Sequence, residues 1–244
     1  MTEITYLAGG STHAFPSTAF AADGNLSHVF DDTDEFVIDN PHAGVTQHYS
    51  IHLFGYGFDF DEGGQPTDGT ITEVTIEDAA HHVYVDMTSL DEEDGSDTSL
   101  LDFWNTLQSS GPKAALDALV GDDAYVAGSK DADQAETYGF SSAYFLSDGN
   151  DTLAIFHDFT HASGEGGNDT FRINQGDLTG LDLHGGLSDG TVARGEVNTI
   201  DFHVAGRLGF EAIDGFTSFA FTAGGKGGAF NQFIYLTTDQ LPGG

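Results

Sequence analysis

The strongest constraint on this chain is a five-residue core that occurs twice. Gly149-Asn150-Asp151-Thr152-Leu153 is followed by Gly167-Asn168-Asp169-Thr170-Phe171, at a spacing of 18 residues. Eighteen is two turns of a nonapeptide period, and that period marks parallel β-rolls. Glycine lets the backbone turn tightly and aim its carbonyls inward. Aspartate supplies a hard oxygen of the kind that Ca²⁺ takes. The apolar residue two places later begins a short strand and points into the roll. The second copy is the fuller one, because Gly164, Gly166 and Gly167 occupy three of the first four positions of its nonapeptide. In the first copy Leu146-Ser147-Asp148 stands where glycines are expected, and the nine residues Ile155–Ser163 between the copies do not follow the pattern. The sequence therefore predicts a short, degenerate array. The competing account is a pair of ordinary Asn-Asp turns ahead of two strands, common in all-β proteins.

Charge narrows the function. Six Lys and Arg stand against 40 Asp and Glu, a formal net charge of −34, and no Lys or Arg precedes Lys113. Nucleic acid needs a basic footprint, so that class is excluded. An anionic membrane surface is excluded on the same ground. Self-repulsion on this scale opposes compaction at low ionic strength; salt screens it, and bound divalent cations neutralise it locally. With 33 Gly, 20 Phe and 8 Tyr, the composition favours strands. There is no cysteine and no transmembrane run. Met1–Thr5 lacks a basic n-region and a sustained apolar h-region, so no N-terminal signal peptide is expected.

In chain order, Ile4–Ala8 reads as a first strand, and Phe30–Phe36 as an acidic turn between two short ones. Thr46–Phe54 alternates as a strand, with His48 and His52 on one face. Gly55–Asp61 and Thr70–Ile76 form a hairpin around Gly63-Gly64. Asp59 and Asp61 begin like an EF-hand loop, but Gly63 and Thr70 at later ligand positions reject that motif. His82–Met87 is the next strand, with His81-His82 at its edge. The acidic loop Asp91–Asp97 is a candidate calcium loop, whereas Asp31–Glu35 reads as a solvated charge run, with metal binding there an open alternative. Leu100, Leu101, Phe103, Trp104 and Leu107 recur at helical spacing, with Asp97 or Thr98 as N-cap. Pro112 opens a second helix and Gly121 closes it. Further strands are predicted over Leu178–Leu183, Asn198–Val204, Phe216–Thr222 and Phe230–Thr237, the last two joined by Gly224–Gly228.

Three stretches give the chain a resemblance to the RTX-type, nonapeptide-repeat secreted proteins of Gram-negative bacteria. Phe54–Asp59 with Pro66–Thr72 is similar to the hairpin that often precedes their repeats. Ala114–Asp133, a short helix running into Gly121-Asp122-Asp123, resembles the junction that opens the array. Gly164–Phe171 resembles the nonapeptide itself. The chain departs from the family at Glu165, where a glycine is the rule, and the Gly121 and Lys130 turns are read as one residue out of register. The resemblance implies type I secretion through an uncleaved C-terminal signal, an extracellular place, and Ca²⁺ as the structural ion.

The expected fold is all-β, β-sandwich or β-roll-like, with a short helical pair near residues 98–120. It divides into an N-terminal β domain (1–97), a helical connector (98–120) and an RTX-like region (121–244). Asp151 and Asp169 are expected to ligate Ca²⁺ through their side chains. Gly149, Gly164, Gly166 and Gly167 are expected to supply carbonyls or the turn. The expected function is a calcium-binding module of the cell surface, of adhesion or of a biofilm matrix, acting through self-association or other extracellular components. Two other classes stay open. A heme carrier would use histidines such as His48 and His52, and a polysaccharide-acting enzyme would need a carboxylate pair in a cleft. His157 and His161, four apart, would bind zinc only with a nearby carboxylate. No catalytic motif is recognisable.

Overall fold

The alternation around Gly63-Gly64 builds the hairpin that the sequence predicts, and its strands run longer than the pattern alone implies. A computed structural model describes residues 1–7, 15–19, 27–32, 34–40, 49–78, 80–90, 98–121, 123–139, 142–189, 191–204 and 206–221. These fall into two compact units that divide between Tyr125 and Val126. His48, the Asp91–Asp97 loop, the Gly224–Gly228 turn and the Phe230–Thr237 strand lie outside the described residues.

In the first unit, β1 (Thr2–Tyr6), α1 (Pro16–Ala19), β2 (Ser27–Asp32), β3 (Glu35–Asn40), β4 (Tyr49–Phe60), β5 (Pro66–Glu77) and β6 (Val83–Thr88) precede α2 (Leu100–Ser110) and α3 (Pro112–Val120). The strands form an antiparallel sheet in the order β1-β6-β5-β4-β3-β2. Asp31 and Asp32 end β2, and Glu35, paired with Asp32, begins β3. Asp61 accepts the N–H groups of Gly63 and Gln65 (2.8 and 2.9 Å), so the carboxylate of the rejected EF-hand position ties the hairpin turn instead. Tyr49, Ile51 and Leu53 are buried on β4, and Val74 and Ile76 on β5. That is the period-2 pattern of a sheet with one covered face.

The helical pair forms as predicted, with Leu100, Phe103, Trp104 and Leu107 buried on α2. Its N-cap is Ser99, whose hydroxyl accepts the Asp102 N–H at 3.2 Å, and not Asp97 or Thr98. Thr98 is spent on the Leu90 carbonyl. Trp104 meets Phe36 edge-on at 5.6 Å and donates its Nε1–H to Gln65, so α2 is pinned by both an apolar and a polar contact. Pro112 opens α3, and the Gly121 N–H caps it on Asp117.

After β7 (Ala124–Ala127), which runs across the division, the second unit consists of short parallel strands. They are β8 (Gln134–Glu136), β9 (Ala143–Phe145), β10 (Thr152–Ile155), β11 (His161–Ser163), β12 (Thr170–Ile173), β13 (Leu181–His184), β14 (Thr199–Phe202), β15 (Phe210–Asp214) and β16 (Ser218–Phe221). Successive strands alternate between two sheets. One holds β8-β10-β12-β14-β16 and the other β9-β11-β13-β15, every neighbour parallel. This is a parallel β-roll. Thr152 pairs with Gln134 and Thr170 with Thr152, so each of these coils holds two nonapeptides. Leu153, Ala162, Phe171, Leu183 and Ile200 are fully buried along its inside.

Two expectations are corrected. Ile155–Ser163 does take the roll period: it supplies β11, with Ala162 inward, although it has no glycine and no Gly-Asn-Asp turn. The turn at Lys130 is in register. Asp133 stands 18 residues before Asp151, in the same place of its coil.

Candidate metal centre

The repeated Asn-Asp pair serves two different ladders, one coil stacked on the next. Asn150 Oδ1 accepts the Asn168 N–H at 2.8 Å, and Asn168 Oδ1 accepts the Val197 N–H at 2.6 Å. The aspartates run the other way. Asp151 Oδ1 accepts the Asp133 N–H at 2.7 Å, Asp169 Oδ1 accepts the Asp151 N–H at 3.0 Å, and Asn198 Oδ1 accepts the Asp169 N–H at 2.9 Å. Each motif side chain thus satisfies a turn amide that no strand ladder can reach. The ladder begins on Asp133, whose carboxylate is held by the Ser129 N–H and hydroxyl.

The aspartate ladder leaves a charge problem. Asp151 is 1% exposed and Asp169 0%. Each uses Oδ1 in the ladder, and each keeps a buried Oδ2 with no hydrogen-bond partner. Burial pushes the Asp151 carboxyl up to about 9 against the lowering effect of the Asp133 N–H, and the neighbouring Asp169, Asp133 and Asp148 raise it further. Burial likewise pushes Asp169 up to about 7, with Glu196 adding to the rise. Two desolvated carboxylates one coil apart cannot both ionise without a counter-charge. A proton or a cation has to sit there.

The glycines surround that place. A Cβ on Gly164 would fall 2.4 Å from Asp169 Oδ2 and 2.7 Å from the Gly185 carbonyl oxygen, so both oxygens face the bare Cα. At Gly149 a Cβ would meet the Asp131 carbonyl oxygen at 2.6 Å and Asp151 Oδ1 at 2.8 Å. Gly166 lies under the Asp148 carboxylate and donates its N–H to the Ser147 carbonyl. Gly167 has φ 123°, and its Cα passes so close to the Gly149 carbonyl that a Cβ would overlap it at 1.4 Å. Glu165 takes φ 64°, and its carboxylate accepts the Ser163 hydroxyl. All six predicted site residues therefore lie in two stacked turns of one edge of the roll. The orphaned Asp169 oxygen beside the Gly185 carbonyl offers hard oxygen donors, the kind that a hard cation takes.

On the opposite edge of the roll, Ser142 and Thr160 hold the places that Asp133 and Asp151 hold here; their hydroxyls bond the Tyr138 and His157 carbonyls. At these two positions the edge carries hydroxyls in place of carboxylates, and its own coil-to-coil bonds run from the Thr179 and Arg207 N–H groups to Asp158 and Asp177. His157 lies in the turn before β11 and not on the strand with His161, so the two do not share a strand face. The carboxylate near His161 is Asp182, and the second imidazole is His184. His52, one of the heme candidates, is engaged by Glu35 at 2.6 Å. Among the described residues no helix is long and apolar enough to cross a membrane. Comparison with family models, curated proteins and solved structures finds no match, so the reading of the site stands on its geometry.

Proposed function

We propose that the chain is a secreted, calcium-binding structural module of the RTX type, serving a cell surface, adhesion or an extracellular matrix. The observation that carries this reading is the pair of buried, unpartnered Oδ2 atoms of Asp151 and Asp169. Bound Ca²⁺ supplies the positive charge these oxygens lack. Asp151 and Asp169 would hold it with backbone carbonyls of the stacked turns, among them Asp131 and Gly185. Few donors and a high cost of desolvation make for weak sites, which fits the millimolar calcium outside cells. A chain with a net charge of −34 is poorly compacted without cations. Ordering would thus follow export, and strand edges would then be free to pair between copies.

The test is a thermal melt of the full chain in EGTA and in millimolar CaCl2, with MgCl2 as control. A calcium-specific rise supports the reading, since a ligand bound only to the folded state stabilises it by mass action. Equal rises with both cations would mean charge screening and would remove the site. Size-exclusion with and without calcium tests the assembly, which a monomer at high concentration in calcium would refute.

A further inference from the structure

The other face of the roll carries a second group of ligating side chains. β11, β13 and β15 are parallel neighbours, with His161 opposite Asp182, Ser163 opposite His184, and His184 opposite Asp214. Ala162 and Leu183 point into the core at 0% exposure, so His161, Asp182 and His184 share the outer face. His161 Nδ1 lies 2.7 Å from Asp182 Oδ2, and His184 Nε2 lies 3.0 Å from Asp182 Oδ1. The other nitrogen of His184, Nδ1, lies 2.8 Å from Asp214 Oδ1. One ligand atom from each of His161, Asp182 and His184 falls within 4.8 Å of the others.

Both nitrogens of a 7% exposed imidazole thus face carboxylate oxygens. Neutral imidazole carries one N–H. With that hydrogen on Nδ1 toward Asp214, Nε2 keeps its lone pair beside Asp182 Oδ1, a buried oxygen that itself has no hydrogen-bond partner, and a metal ion would engage both atoms. A carboxylate that holds the far nitrogen of a histidine is the usual outer partner of a metal-bound imidazole. Two imidazoles and one carboxylate are borderline donors, suited to zinc-type ions and not to calcium or magnesium.

We propose that His161, Asp182 and His184 bind a divalent transition metal ion of the zinc type, with Asp214 as the positioning residue for His184. Three protein ligands leave a coordination position for water or an external group. This site shares no ligand with the glycine turns and does not depend on the calcium reading.

The experiment uses the full chain in excess CaCl2, so that hard-cation sites are already filled, and titrates ZnCl2 by calorimetry. The expected result is one equivalent bound, with the ring signals of His161 and His184 shifted by zinc in the NMR spectrum. H161Q alters a side chain on the outer face, and D182N keeps its shape; each should abolish that equivalent. D214N should weaken it by about 10–100-fold, the usual effect of losing an outer partner. Zinc binding unchanged in H161Q and D182N would place the ion on other histidines and overturn the proposal. Unshifted His161 and His184 signals in the folded wild-type chain would overturn it without any substitution, leaving the four side chains as an ion-paired cluster.

Discussion

Asn198 stands one coil beyond Asp169 and does for it what Asp169 does for Asp151, accepting a backbone N–H through Oδ1 at 2.9 Å against 3.0 Å. The roll therefore contains its own evidence that asparagine serves this ladder. Asp169→Asn should keep the bond and remove the charge, with its new amide facing the Gly185 carbonyl. The expected outcome is a higher melting temperature than wild type in EGTA at about pH 8, where the native carboxyl is held above its ordinary range, and a smaller calcium-dependent rise. Asp169→Ala should lower stability with or without calcium, by about 1–3 kcal/mol for the orphaned Asp151 N–H. If Asn and Ala behaved alike in EGTA, the ladder would not be what the carboxylate contributes. A pH dependence follows with a definite sign. Both carboxyls are raised on folding, Asp151 to about 9 and Asp169 to about 7, from 3.8. The folded state therefore holds protons that the unfolded chain has released, and calcium-free stability is lost as pH rises through that window. Ordinary carboxylates have finished titrating by about pH 6, so between about pH 6.5 and 9 the fall in melting temperature should be steeper for wild type than for Asp151→Asn. Histidine titration is common to both. In calcium the trend should weaken, because the ion binds the deprotonated form. Asp151 and Asp169 were legible in the sequence because motif and spacing coincide there. Asp133 was not, since Gly128-Ser129-Lys130-Asp131-Ala132-Asp133 has a single glycine and no Thr-apolar pair after it. Asp182 and His184 come to His161 from the next coil, across an enlarged turn that breaks the 18-residue spacing, so no local pattern marks them.

At the scale of the element, the roll depends on how closely one glycine turn rides on the next. Gly167 and Gly195 separate the two demands on a glycine. Both have positive φ, 123° and 100°, but a Cβ at Gly167 overlaps the Gly149 carbonyl oxygen while one at Gly195 meets nothing within 4 Å. Gly195→Ala should cost only the conformational strain, about 1–3 kcal/mol. Gly167→Ala should cost that strain and a further amount of about 1–3 kcal/mol or more for overpacking. Urea unfolding midpoints in calcium give the difference, and equal losses would refute close stacking of the two turns. Element legibility follows length. β4 and β5 carry twelve residues each and α2 eleven, enough for period 2 or 3.6 to show. β8, β9 and β11 have three residues each, and a three-residue strand has no periodicity to read. They are placed by the coil they belong to, which is visible only once the Asp133, Asp151 and Asp169 turns are stacked.

At the scale of the whole molecule, calcium and salt should act in different places. The carboxylate excess is spread along the chain, and Lys113 is its first Lys or Arg. Screening of that excess by NaCl should therefore stabilise both compact units. The two buried, unpartnered carboxylate oxygens stacked in successive turns, those of Asp151 and Asp169, belong to the second unit, whereas in the first unit Asp86 on β6 keeps one such oxygen outside any turn. The first unit has its own apolar sheet face and its own pinned helix in Ile51, Leu53, Val74 and Trp104. Hydrogen exchange of the full chain, compared in EGTA, in CaCl2 and in NaCl, distinguishes the two effects, because local opening reports local stability. Calcium should slow exchange at the amides of Asp151, Leu153, Asp169 and Phe171 and leave Ile51, Leu53 and Val74 nearly unchanged. Salt should slow exchange in both sets. Equal protection of β4 and β10 by calcium would mean that the ion acts on net charge alone. The aspartate ladder would then be held by protons at neutral pH, as the raised Asp151 carboxyl permits.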